Sequence, residues 1–368
     1  MKKIPLVDLK VQYHSIKKEV DTKLKSIFEN SNFIGGNEVD NFSKNLGKLL
    51  NVKYSIPVAN GTDALYIAMK MLGIGVGDEV ITTAHSWIST SETVSQTGAK
   101  PIFVDTDEFF CIDHEKIEDK ISRKTKAIIP VHLFGGVCDM TEINKIARKH
   151  NLFVIEDCAQ SILSSWKGKN VGTIGDIGTF SFFPGKNLGA YGDAGGIITN
   201  KFSLFRKMKM FASHGGLKKH EHLIEGINSR MDSIQAAILN IKIKRIALWI
   251  KKRREIAEIY NRNLKNVIEL ELPRERKGAH HTYHLYVVKS NKRDQLANFL
   301  MKKGISTGIH YPVPLPMLPC YKNHQNKSSD FFNSINDSKK ILSLPIYPEL
   351  EEPKINFISN QIKTFFSL

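Results

Sequence analysis

Cysteine is scarce and scattered. Cys111, Cys138, Cys158 and Cys320 form no CxxC pair, which argues against a structural zinc site and fits a reducing compartment, with all four read as ordinary buried thiols. Long apolar runs are missing too. No stretch of about eighteen apolar residues occurs, and the N-terminal MKKIPLVDLK carries charge with no apolar signal core behind it. A cytoplasmic protein with no membrane anchor is therefore expected. No strand is followed by GxGxxG, and the glycines of residues 172–178 fall at every third position instead, which disfavours a nicotinamide dehydrogenase. Acidic residues are in deficit: 53 lysines and arginines face 37 aspartates and glutamates, a net charge of +16. That excess admits nucleic acid, an anionic membrane or an acidic small molecule as partner.

What is present is ample apolar material, 41% of 368 residues, enough for a substantial core and two or three domains. Apolar spacing over Val20 to Leu50, broken at Phe33-Ile34-Gly35-Gly36, predicts two helices around a tight turn. From there strands and helices alternate. Strands are expected at Tyr54–Val58, Val80–Thr83, Pro101–Val104, Ala127–Pro130 and Leu152–Ile155. Helices are expected from Gly61 to about Leu72, after Trp87, at His114–Ile121 and at Met140–His150. Val- and Ile-rich strands alternating with helices predict an α/β chain whose sheet is mainly parallel and covered on both faces. Later strands are expected at Glu269–Pro273 and His284–Lys289, a helix at Lys292–Lys303, and a polar surface loop over Asn323–Asn336. The basic run Lys242 to Arg254 spaces its apolar residues as a helix does and reads first as a solvated basic face, with nucleic-acid or membrane contact as the other readings.

One stretch stands apart. In FSFFPGKNLGAYGDAGG, residues 180–196, the aromatic run Phe180 to Phe183 reads as a short buried strand. Pro184-Gly185 then turn the chain so that Lys186 sits at a strand end, where α/β sheets carry their chemistry. An amine partly desolvated by such neighbours loses some preference for its protonated form, as Schiff-base formation with an aldehyde cofactor requires. A phosphate-loop reading fails because Phe180 and Asn187 occupy the positions where that motif needs glycine and Ser or Thr. An ordinary surface lysine stays open on this stretch alone. Other candidates lie at the same kind of position. Gly61, Thr62 and Asp63 open a helix, a ready phosphate site, although Thr62 or Asp63 would also serve as a simple cap. Trp87 follows a strand and offers a ring to stack on, or is a packed core or interface residue. Asp157 follows another strand and would supply the anion that a pyridoxal ring nitrogen needs. Gln160 lies three residues on, within reach of a ring hydroxyl; a turn cap and an exposed glutamine are the plain alternatives.

Taken together, ANGTDAL at 59–65, the Trp87 stretch with GAKPIFVD at 98–105, KAIIPVHLFG at 126–135, EDCAQS at 156–161, SFFPGKNLGAYGDAGG at 181–196, NSRMDSIQAAIL at 228–239 and HYPVPLP at 310–316 resemble the DegT family of sugar-nucleotide aminotransferases. The order and spacing match over nearly the whole chain. The resemblance implies the fold type I architecture of pyridoxal-phosphate enzymes: a large domain on a seven-stranded sheet, here 1–244, a smaller C-terminal domain, here 245–368, and a homodimer or larger assembly with shared active sites. It assigns Lys186 the Schiff base and the proton shuttle, Asp157 the pyridinium nitrogen, Gln160 the cofactor hydroxyl and Trp87 the stacking role. Ser181 and the Gly61-Thr62-Asp63 turn would hold the phosphate, with Asn228 reaching it from the partner. Arg230, His310 and Tyr311 would approach the sugar nucleotide. No metal is implied.

A branch of the family that eliminates has histidine where this chain has Lys186, so transamination is expected, with L-glutamate as donor and a dTDP- or UDP-linked keto-sugar as acceptor, for amino sugars of surface glycans such as lipopolysaccharide O-antigen. The loop from Pro184 to Asp193 has the form that goes with 3-keto sugars; a C-4 aminotransferase is the alternative. A nucleic-acid-binding protein is the non-enzyme alternative, supported by charge alone.

Overall fold

The computed structural model describes residues 3–218, 220–324 and 326–367. Two helices come first, α1 (Leu9–Glu29) and α2 (Asn37–Leu50). The first begins well before Val20 because the Asp8 carboxylate accepts from Val11 N and caps it. Then follow β1 (Tyr54–Val58), α3 (Gly61–Met71), β2 (Glu79–Thr83), α4 (Ser89–Gln96), β3 (Lys100–Val104), β4 (Thr125–Ile129), α5 (Met140–Lys149) and β5 (Phe153–Asp157). Two short strands, β6 (Ser165–Trp166) and β7 (Lys169–Asn170), precede β8 (Ile177–Ser181), β9 (Gly195–Thr199), α6 (Phe202–Phe211), α7 (Ser233–Lys242) and α8 (Ile246–Leu264). The C-terminal part holds β10 (Ala279–His280), β11 (Tyr286–Lys289), α9 (Arg293–Lys302), α10 (Phe332–Lys340), β12 (Ile341–Leu344) and α11 (Glu352–Phe366).

Seven strands form one sheet in the order β1-β9-β8-β5-β4-β2-β3. It is parallel from β8 to β3, and β9 runs antiparallel to both its neighbours. Strand alternation sorts its apolar residues into two cores. Ile81, Ile128, Val154, Phe180 and Ile198 join one core with Phe42, Phe182, Met231 and Leu239. Val80, Ile129, Ile155, Ile177 and Ile197 join the other, covered by α3 and α6. A third core gathers Tyr260, Tyr286, Val288, Leu296, Leu344 and Ile358, with Ile4 from the N-terminus. Helix α8 belongs to two of them: Ile246, Trp249 and Ile250 pack on the sheet, and Ile256, Tyr260 and Leu264 on the C-terminal core. Among the described residues no helix is long and apolar enough to cross a membrane.

Several expectations need correcting. Residues 114–121 form two single 3-10 turns rather than a helix; Ile117 alone is deeply buried there, too little apolar surface to hold a longer helix. Glu269–Pro273 contributes one bridge, Glu271 to Lys289, and no strand. The expected loop over 323–336 carries 3-10 turns at Pro319–His324 and Ser328–Phe331, then α10. Its anchor is the buried Asp105 carboxylate, which accepts from Asn333 N, Ser334 N and Ser334 Oγ. The basic helix is not simply a solvated face, since Lys242 and Arg253 are buried. Arg253 donates to the carbonyls of Tyr283, His284 and Ile346. Of the cysteines, Cys320 is exposed.

Candidate active site

The site is built at the ends of the parallel strands. On β5, Asp157 shares a face with Ile155 and Glu156 takes the opposite one. The two carboxylates therefore part company. Glu156 is fully buried and completely engaged: it accepts from Gly172 N, Ile174 N, Gly175 N and His132 Nε2. His132 Nδ1 in turn accepts from Cys138 N, which puts its proton on Nε2. This cluster, with Cys158 beside it, is a structural clamp with its bonding used up. Asp157 faces a cavity. Thr90 Oγ1 donates to its Oδ2 at 2.9 Å and Ala159 N to its Oδ1 at 3.1 Å. Burial pushes the Asp157 carboxyl up, opposed by those two hydrogen bonds and by the nearby charge of Lys186.

Strand β8 stops at Ser181, so the expected strand over Phe180–Phe183 is corrected, and Lys186 sits in a loop five residues beyond. Phe182 turns into the core against Phe42, a burial that stabilises by ~1.5–3 kcal/mol, whereas Phe183 is exposed and cannot extend a buried strand. The turn is closed by Lys186 N donating to Phe183 O and by Ala190 N donating to Phe182 O. Lys186 itself is half-buried and lines the cavity. Loss of hydration lowers its amine to about 8, and the Asp157 charge works in the other direction.

The cavity holds about 490 Å³, and Gly61, Thr62, Trp87, Asp157, Gln160, Ser181, Lys186, His310 and Tyr311 all line it. Gly61 begins α3 in close contact with β8, where a Cβ would lie 2.7 Å from Ser181 Cβ. The cap of α3 is Asn60, whose side chain accepts from Asp63 N, and not Thr62 or Asp63. Thr62 Oγ1 pairs with Ser89 Oγ at 2.8 Å. Gln160 is buried: its Oε1 accepts from Phe134 N and its Nε2 donates to Tyr311 OH. The Tyr311 ring lies 5.6 Å from Trp87, which is 58% exposed at the mouth, so the packed-core alternative for Trp87 is set aside. Asp63, Asn228 and Arg230 are not among the lining residues. Arg230 Nε donates to Asn228 Oδ1, and Asn228 bridges to Ser213.

Sequence reasoning missed several lining residues. Ser86 and Thr90 flank Trp87 on either side, and nothing in their types or spacing shows that they pair with each other or that Thr90 reaches Asp157 across the sheet. His284 appears only as the start of a strand. It lines the cavity and pairs with Asn187 Oδ1, and burial together with the charges of Lys186 and Arg253 holds it well below the usual histidine range. His310 is lowered by the same two effects, burial first and then Lys186, and its Nδ1 pairs with Ser343 Oγ. Leu6 and Val7 reach the cavity from the N-terminus, a contact that no local pattern encodes.

A phosphorylated pyridine aldehyde needs an amine to bond, an anion for its ring nitrogen and donors for its phosphate. One cavity supplies the lowered amine of Lys186, the twice-bonded carboxylate of Asp157, and the Ser181 hydroxyl beside the opening turn of α3, whose first amides have no intrahelical partner. The tight approach of Gly61 to Ser181 makes that corner a backbone-lined cradle. The residues present fit the group.

Comparison with known proteins agrees. The chain is 40% identical to a pleiotropic regulatory protein of Geobacillus stearothermophilus over 99% of this chain and 98% of that one. It is 39% identical to dTDP-3-amino-3,6-dideoxy-alpha-D-galactopyranose transaminase of Aneurinibacillus thermoaerophilus, over 98% and 99%. The crystal structure of S. venezuelae DesV in complex with a ketimine intermediate superposes with a TM-score of 0.98 at 32% identity, covering all of both chains. The model of the DegT/DnrJ/EryC1/StrS aminotransferase family matches residues 14–363, and the chain belongs to that family.

Proposed function

We propose that this chain carries pyridoxal phosphate on Lys186 and moves an amino group from L-glutamate to C-3 of a nucleotide-linked keto-sugar. The observation that carries the reading is the pairing in one cavity of Lys186, with its amine lowered to about 8, and Asp157, a buried carboxylate with two donors. When bound, the cofactor supplies the aldehyde that accepts the amino group and the electron sink that stabilises charge after a proton is removed. The chain does the rest. Asp157 presents a negative charge to the ring nitrogen, and Thr90 with the Ala159 amide favours its ionised form against burial. Near neutrality Lys186 exchanges a proton readily because its pKa lies close to the working pH, so it takes the proton from the donor carbon and returns it, in both half-reactions. Ser181, Gly61 and Thr62 would hold the phosphate, Gln160 and Trp87 would orient the ring, and His310 and Tyr311 would meet the sugar nucleotide.

The same proposal includes a homodimer in which Asn228 and Arg230 serve the partner's cavity, since on their own chain they lie outside it. It also includes a cytoplasmic setting, since all four cysteines are free thiols of the kind reducing compartments maintain. The C-3 position rests on the Pro184–Asp193 loop and on the 3-amino sugar named for the Aneurinibacillus relative. Residues flanking Lys186 set how far a sugar slides past the cofactor, and a shift of one ring carbon moves the reacting atom out of the ~3–3.5 Å reach that reaction needs. The test runs the reaction backwards with 2-oxoglutarate, offering 3-amino and 4-amino nucleotide sugars in parallel. Deamination of the 3-amino compounds is expected; deamination of the 4-amino compounds alone would overturn the position.

A further inference from the structure

A second lysine lies behind the first. Lys242, the last residue of α7, has no solvent exposure. Its Nζ donates to Gly189 O at 2.6 Å and stands 4.1 Å above the ring of Tyr191. No carboxylate forms an ion pair with it among the described residues; Glu349 is the acidic group whose charge it feels. Burying an ammonium without an ion-pair partner works against stability, and one hydrogen bond with a ring face returns only part of the cost. The reason for the placement lies in what the amine holds.

Gly189 closes the loop that carries Lys186. Its Cα packs so tightly on the Pro184 carbonyl that any Cβ there would collide with it, so the two ends of the 184–189 turn meet at the atom next to the carbonyl Lys242 grips. The same helix holds the loop a second time: Gln235 Oε1 accepts from Tyr191 N at 2.9 Å. α7 is thus a rack on which the loop is mounted at two points, one polar and neutral, the other a buried amine. We infer that Lys242 is a positioning residue, which fixes the 183–190 loop so that the Lys186 amine stands at its working place across from Asp157. Desolvation lowers Lys242 to about 7, yet both its protonated and neutral forms keep an N–H for Gly189 O, so the grip survives either state.

The inference rests on the reading of Lys186 as the cofactor lysine, and its test separates the two. Lys242→Met keeps the length and removes the donor and charge; Lys242→Gln restores an N–H donor. Hydrogen exchange of the amides over 183–190 is measured in the cofactor-free proteins, together with the thermal midpoint and the rate at which added pyridoxal phosphate bonds to the protein. For Lys242→Met the expected results are exchange at least about tenfold faster over 183–190, a midpoint equal to or above that of the unaltered chain because an uncompensated buried charge is gone, and cofactor bonding slowed ~10- to 100-fold by misplacement of the amine. Lys242→Gln should regain much of both rates. Unchanged loop exchange and bonding rate in Lys242→Met would overturn the inference. So would a lowered midpoint with losses that Lys242→Gln does not restore, the mark of a merely structural residue. Cofactor found on a lysine other than 186 would refute the functional reading while leaving the loop-exchange result to stand by itself.

Discussion

At the scale of single residues the site is a contest between burial and charge. Lys186 has its folded-state pKa lowered to about 8 from an ordinary 10.5, so the folded chain binds fewer protons than the unfolded chain between those values. The cost of burying the ammonium is fully present below about 8, and stability rises with pH across the window up to 10.5. In the cofactor-free protein Lys186→Met should therefore gain stability over the unaltered chain at pH 7, and the gain should shrink as pH rises through 8 to 10.5; urea midpoints of the two cofactor-free chains at several pH values measure it. Asp157 runs the other way, raised by burial and restrained by the Thr90 hydroxyl and the Ala159 amide. Thr90→Val removes a hydrogen bond to a charged group worth about 1.5–3 kcal/mol and should weaken pyridoxal phosphate retention ~10- to 100-fold, read by equilibrium dialysis. Lys186 and Asp157 were legible in the sequence as candidates because each lies at or just beyond a strand end in a chemically marked segment. Thr90 was not, because its partner lies 67 positions away and only the sheet order brings them together.

At the scale of elements the five strands from Tyr54 to Asp157 and the helices α3, α4 and α5 between them were legible in the sequence, since a parallel sheet covered on both faces imposes the alternation, while the helix expected at 114–121 is two 3-10 turns. Elements held by long-range polar contacts were not. Helix α10 and the turns before it carry a polar sequence, and Asp105 far upstream anchors them. The Glu156 clamp works in the same manner on the turn between β7 and β8. Glu156→Gln is isosteric but presents an NH₂ group to amides that are themselves donors. It should cost about 2–4 kcal/mol of stability and free the amides of Gly172, Ile174 and Gly175 to exchange, seen by denaturant titration and hydrogen exchange. The buried lysine at the end of α7 was hidden for another reason: a basic run shows its charges but not which of them faces inward.

At the scale of the whole molecule, charge and assembly enter. A net charge of +16 should speed and strengthen capture of an anionic nucleotide sugar, so the apparent affinity should fall as salt is raised past the point where the Debye length reaches ~8 Å. A salt-independent affinity, read by calorimetry, would remove electrostatics from the account. If each cavity is completed by the neighbour's Asn228, mixing inactive Lys186→Ala subunits with inactive Asn228→Asp subunits should restore part of the activity; hybrids as inactive as their parents, once exchange of subunits is confirmed, would rule out shared sites.

The central claim is that Lys186 bonds the cofactor in the cavity it shares with Asp157. Borohydride reduction of the protein with pyridoxal phosphate, followed by peptide mass mapping, tests it most directly. The account predicts the label on the peptide containing Lys186 and none in Lys186→Ala, which should retain noncovalent cofactor binding but lose turnover. Label recovered on any other lysine, or an unlabelled protein, would contradict it.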